Sequence, residues 1–103
     1  MVPEERRANP RYPIPPGSFA FYALGSGVIQ NLSLGGVFVE DRQASFAVGA
    51  EVDLELILKD GDSIVLRGVV RRAEPGSGFA VAFLGLTDDL RQRLAKHFRA
   101  QFA

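Results

Sequence analysis

Residues 50–58 read Ala-Glu-Val-Asp-Leu-Glu-Leu-Ile-Leu, and this stretch constrains the fold more than any other. Val52, Leu54, Leu56 and Leu58 fall on one face, with Glu51, Asp53 and Glu55 on the other. Side chains alternate with a period of two along an extended chain, so the pattern predicts a strand with one buried face. Such a strand needs partners, and the rest of the chain offers them. Short apolar runs at 18–24, 28–32, 36–40, 63–73 and 79–84 are rich in β-branched and aromatic residues. Gly25-Ser26-Gly27, Lys59-Asp60-Gly61-Asp62 and Pro75-Gly76-Ser77-Gly78 read as turns between them. Six short strands at this spacing predict a mainly all-β domain, a barrel or sandwich of antiparallel strands.

The two ends depart from this pattern. Near the C-terminus Thr87 is a good N-cap, and Asp88 and Asp89 stand where the helix dipole favours acids. Leu90, Leu94, Phe98 and Phe102 then recur every four residues, predicting one α-helix over about 87–102 that packs on the barrel. His97, near that stripe, reads as a packing or surface residue. Residues 1–17 hold five of the six prolines together with Arg6, Arg7 and Arg11. Proline density rules out a stable helix there and favours extended backbone. The expected organisation is a flexible, basic arm over 1–17 followed by one strand-rich unit with its helix over 18–103. A chain of 103 residues with 47% apolar content carries one core of its own.

Composition excludes several functions. There is no cysteine, and a lone histidine leaves no common zinc ligand set, so neither metal nor cofactor is expected. Twelve basic and twelve acidic residues balance, which argues against a broad surface for DNA or RNA but not against a local basic cluster. No apolar run approaches the ~20 residues of a membrane span. The polar, Pro-rich start lacks a signal-peptide pattern, and a cytoplasmic location is expected. Ser33 is not in a GxSxG elbow and has no evident His and carboxylate partners, so no enzyme activity is expected.

Two motifs remain. Arg7-Ala8-Asn9-Pro10-Arg11 has RxxxR spacing. On an extended chain its arginines share a face about 13 Å apart at ~3.3 Å per residue, close enough to grip one anionic ligand. A guanidinium fork binds phosphate oxygens in pairs and also meets guanine O6 and N7. A solvated basic tail is the plainer reading of this pair alone. Asn31-Leu32-Ser33-Leu34-Gly35-Gly36 fits [D/N]xSxxG. A chain of this composition is expected to hold about one RxxxR by chance but only about 0.05 of the second motif, which therefore carries more weight. Asn31 and Ser33 share a face at a strand end, while Gly35 and Gly36 give a tight turn and a close backbone approach. They either meet a base edge or merely satisfy turn amides. Arg67 and Arg71 form another RxxxR pair, which either lines the ligand face or sits on a solvated exterior, the latter favoured.

An RxxxR arm followed about twenty residues later by [D/N]xSxxG resembles the PilZ family. Arg67-Gly68-Val69-Val70-Arg71, Gly78-Phe79-Ala80-Val81-Ala82-Phe83 and the closing helix are similar to the family's last strands and helix. The resemblance implies a six-stranded antiparallel β-barrel with a C-terminal helix, binding cyclic di-GMP as a receptor domain. It implies that Arg7 and Arg11 contact the phosphates and one guanine, with Arg6 adding a contact. Asn31 and Ser33 would meet the other guanine, with Gly35 and Gly36 shaping the turn. The arm is then expected to order on ligand binding and to signal to a partner protein or fused domain. The alternative is a PilZ-like adaptor that works by protein contacts and binds no nucleotide.

Overall fold

The computed structural model describes residues 12–13, 17–23, 25–43, 45–59 and 61–102. Arg6, Arg7 and Arg11 lie outside these residues. The elements run β1 (Tyr12–Pro13), β2 (Phe19–Tyr22), β3 (Gly25–Leu32), β4 (Gly36–Glu40), β5 (Glu51–Ile57), β6 (Ser63–Glu74), β7 (Gly78–Leu84) and α1 (Asp88–Phe102). Every pairing is antiparallel. Strands β3, β2, β5, β6, β7 and β4 pair in that order, and β4 returns to β3, closing a six-stranded barrel. The expected fold is thus the observed one. Closure matters because it leaves these six strands without an unpaired edge. The two-residue β1 lies outside the ring on β3, where proline is tolerated because an edge strand can lack one donor.

The alternation in β5 does what its sequence predicts. Val52, Leu54 and Leu56 point into the barrel and Glu51, Asp53 and Glu55 point out. They meet Ile29, Leu32, Val37, Val39, Ile64, Val70 and Val81 from the other strands in one core. The helix starts at its predicted cap: the Leu90 amide donates to Thr87 Oγ1 at 3.2 Å. Leu94 is fully buried in the same core, and Leu90 packs against it. The side chains of Phe98 and Phe102 lie outside the described residues. Arg93 and His97 fasten the helix to the β5–β6 turn. Arg93 donates to Asp62 Oδ1 at 2.8 Å and to the Ser63 carbonyl at 2.7 Å, and His97 Nε2 lies 3.0 Å from Asp62 Oδ2. The hydrogen bond from His97, then that from Arg93, holds the Asp62 carboxyl below its ordinary pKa.

The opposite end is closed by aromatic rings. Tyr22, Phe46 and Phe79 meet with ring centroids 4.7–5.7 Å apart. The Tyr22 hydroxyl donates to Asp41, and burial together with that contact pushes its pKa well above the ordinary tyrosine value.

One turn falls elsewhere than the sequence suggests. Gly25, Ser26 and Gly27 belong to β3 rather than to a turn. Gly27 is needed for close packing, because a Cβ there would stand 2.5 Å from both the Glu40 carbonyl and Val39 Cγ1. The chain reverses just before it, between Tyr22 and Gly25, which face each other across β2 and β3.

Candidate functional site

Asn31 and Ser33 sit at the end of β3 where the chain turns into β4, and the turn uses them differently. Ser33 is buried at 3% exposure. Its Oγ accepts from the Gly35 and Gly36 amides, each at 3.1 Å, and its own amide donates to the Gly36 carbonyl at 2.9 Å. The hydroxyl is therefore the internal brace of the turn. The Phe83 amide donates to the Gly35 carbonyl at 2.9 Å, tying the turn to β7. Gly36 is required by proximity: a Cβ there would collide with the Val81 carbonyl oxygen of β7. It has ordinary backbone angles, so its role is close approach rather than left-handed conformation.

Asn31 is the contrasting case. Its Oδ1 is buried and has no hydrogen-bond partner among the described residues. A buried amide oxygen left without a donor costs about 1–3 kcal/mol. Such an atom is unusual in a folded domain and calls for a donor from outside the described fold. The β1 strand runs directly beside it, since Pro13 pairs with Asn31 and Tyr12 with Leu32. In sequence Arg11 directly precedes Tyr12, which pairs with β3 within the [D/N]xSxxG motif.

A bulge at Gln30 shapes this corner. Ile29 pairs with Val39 and Asn31 with Phe38, leaving Gln30 as the extra residue. Ile29 and Leu32 both point into the core as a result, and Asn31 faces outward. Gln30 Nε2 donates to Glu40 at 2.9 Å beside it.

Arg67 and Arg71 lie on the outer face of β6 and are exposed. Arg67 is engaged by acids of β5: Nε donates to Asp53 Oδ1 at 2.9 Å and NH1 lies 3.9 Å from Glu51. The hydrogen bond to Asp53, and then the charges of Asp53 and Glu51, raise its pKa. Arg71 is the extra residue of a second bulge, because Val70 pairs with Val81 and Arg72 with Ala80. Arg72 stands outside both sequence motifs. It pairs with Ala80, Ala80 with Phe38, and Phe38 with Asn31, one row across four strands. Counting alternate residues from Arg67 skips Arg72, and only the bulge brings it onto this row.

Among the described residues no group of three His, Asp or Glu side chains is placed to hold a metal ion. No helix among them is long and apolar enough to cross a membrane. The corner offers the buried Asn31 amide oxygen beside a tight turn, with Arg72 at the far end of the same outer row.

The fold has close counterparts among solved structures. YcgR of Escherichia coli, solved in complex with c-di-GMP, superposes with a TM-score of 0.80 at 17% identity, over 93% of this chain and 46% of that one. The K. pneumonia MrkH–c-di-GMP complex gives 0.81 at 17% identity, over 94% and 52%. The Bacillus subtilis inhibitor of motility MotI/DgrA gives 0.78 at 22% identity, over 99% and 56%. This chain thus spans about half the length of each. No curated protein matches the sequence. The family model described as PilZ domain matches residues 5–100, nearly the whole length, and the chain belongs to the PilZ domain family.

Proposed function

We propose that this domain is a receptor for cyclic di-GMP with no chemistry of its own. The observation that carries the reading is the meeting of arm and barrel at Asn31. Pro13 pairs with Asn31, whose buried Oδ1 has no donor among the described residues, and Arg11 lies two residues upstream of Pro13. Cyclic di-GMP supplies what such a corner lacks. Its guanines carry amide and amine donors for Asn31, and its two phosphodiesters carry charge for arginine. The c-di-GMP complexes of YcgR and MrkH, which share this fold, support the assignment.

In this reading Arg7 and Arg11 contact the phosphates and one guanine, and Arg6 adds a contact. Asn31 meets the other guanine, while Ser33, Gly35 and Gly36 hold the turn that presents it. Ligand binding orders the arm across the barrel and changes the surface shown to a partner protein or fused domain. Amide hydrogen exchange over residues 1–14 tests the ordering step. Saturating cyclic di-GMP should slow exchange there, and unchanged protection rules the switch out.

A second reading, an adaptor that works by protein contacts alone, draws on the exposed rings of Phe19 (41%) and Phe21 (46%) on β2. Undiminished partner binding by the Arg7→Ala/Arg11→Ala variant, with no nucleotide present, would favour it.

A further inference from the structure

Phe38 and Ala80 are buried at 6% and 3% exposure, yet neither belongs to the barrel core. Their strand neighbours Val37, Val39, Phe79 and Val81 point inward, so both lie on the outer wall. There they form the middle of the row that runs from Asn31 to Arg72. Arg72 starts two strands away from Phe38 and reaches back along this row. Its guanidinium carbon lies over the Phe38 ring, 5.8 Å from the centroid. Phe38 is the cross-strand partner of Asn31, and such partners have Cβ atoms about 5 Å apart, so the guanidinium ends over the residue beside Asn31. The small Ala80 between them leaves a path for the arginine stem. Glu74 Oε2 lies 2.8 Å from Arg72 Nε and pairs with the guanidinium. The terminal nitrogens NH1 and NH2 have no partner among the described residues, and the side chain remains 54% exposed.

We propose that Arg72 is a third ligand arginine, laid on Phe38 beside Asn31 to grip a guanine base by O6 and N7. The inference rests on the receptor reading above and extends it to a residue in neither sequence motif. Three features favour a base edge over a phosphate. Glu74 neutralises the guanidinium and would repel an anion brought up to it. The free nitrogens form the planar two-donor fork that matches the paired acceptors of guanine. The Asn31 side chain stands on the same row, one strand beyond Phe38, for the donor edge of a base. The ring beneath gives the cation an apolar floor and limits its rotation.

Equilibrium dialysis of radiolabelled cyclic di-GMP against the full chain tests this, with thermal melts confirming that each variant folds. Arg72→Ala is expected to weaken binding about tenfold to a hundredfold, as for loss of a hydrogen-bonded charged group. Arg72→Lys keeps the charge but not the fork, and should be weakened by a similar factor. Arg91→Ala removes a positive charge from an exposed helix position and should bind as the wild type does. Wild-type affinity in Arg72→Ala overturns the proposal, and full affinity in Arg72→Lys overturns the base-edge role in favour of a point charge. If the wild type itself binds no cyclic di-GMP, the receptor reading fails, an outcome read without any Arg72 variant.

Discussion

Asn31 and Ser33 stand two residues apart in one motif, and the fold spends them in opposite ways. Ser33 Oγ accepts two turn amides and is buried, whereas Asn31 Oδ1 has no donor among the described residues. Their substitutions should therefore separate stability from binding. Ser33→Ala leaves two amides without an acceptor, so chemical denaturation should show a loss of about 1–3 kcal/mol. Its direct cost in ligand affinity should be smaller, about 1 kcal/mol. Asn31→Ala removes an oxygen that has no donor among the described residues, so stability should hold or rise while cyclic di-GMP affinity falls. A loss of stability in Asn31→Ala with unchanged affinity would reverse these assignments. Arg7→Ala and Arg11→Ala should each weaken binding by about 1.5–3 kcal/mol, as expected for hydrogen bonds to charged groups. Wild-type affinity in both single variants would remove the arm from the site.

At the scale of elements, the strands were legible because their causes are local. Alternation in β5, turn residues after β5 and β6, and the Thr87 cap each act over a few positions. The features missed depend on contacts between strands. Gly27 looks like a turn glycine until β4 is packed against it, and Gly36 is fixed by a carbonyl on β7 that lies far away in sequence. The bulges at Gln30 and Arg71 leave no local mark, yet they decide that Asn31 and Arg72 face the same outer row. The turn at Asn31–Gly36 is therefore readable from local sequence, and the row that carries Arg72 is not. Gly36→Ala should press a methyl group into the Val81 carbonyl and destabilise the fold by about 1–3 kcal/mol in a denaturant titration. The helix latch carries a pH signature. Asp62 has a folded pKa below its ordinary 3.8, so its contribution is complete above that value and lost as pH falls through the lower folded value. Wild type should therefore exceed Asp62→Asn in stability at neutral pH, with the gap closing below about pH 4. A gap that widens in acid would contradict the latch.

Viewed as a whole, the molecule is a barrel closed on itself, with a helix at one end, aromatic rings at the other and the short β1 laid beside β3. Closure gives the outer wall a rigid frame, so a row of side chains across four strands can be held in register without ligand. Among the described residues, Tyr12 and Pro13 lie outside the closed ring and pair with β3. Zero net charge over the whole chain fits a small dianion gripped by a few arginines better than a long polyanion. Isothermal titration of cyclic di-GMP into the purified chain, with Arg7→Ala/Arg11→Ala alongside, tests whether the corner at Asn31 binds that nucleotide. Micromolar or tighter binding that the double variant loses is the predicted result. No heat, and no binding by an independent method, would contradict it and leave a barrel of PilZ shape whose partners are proteins.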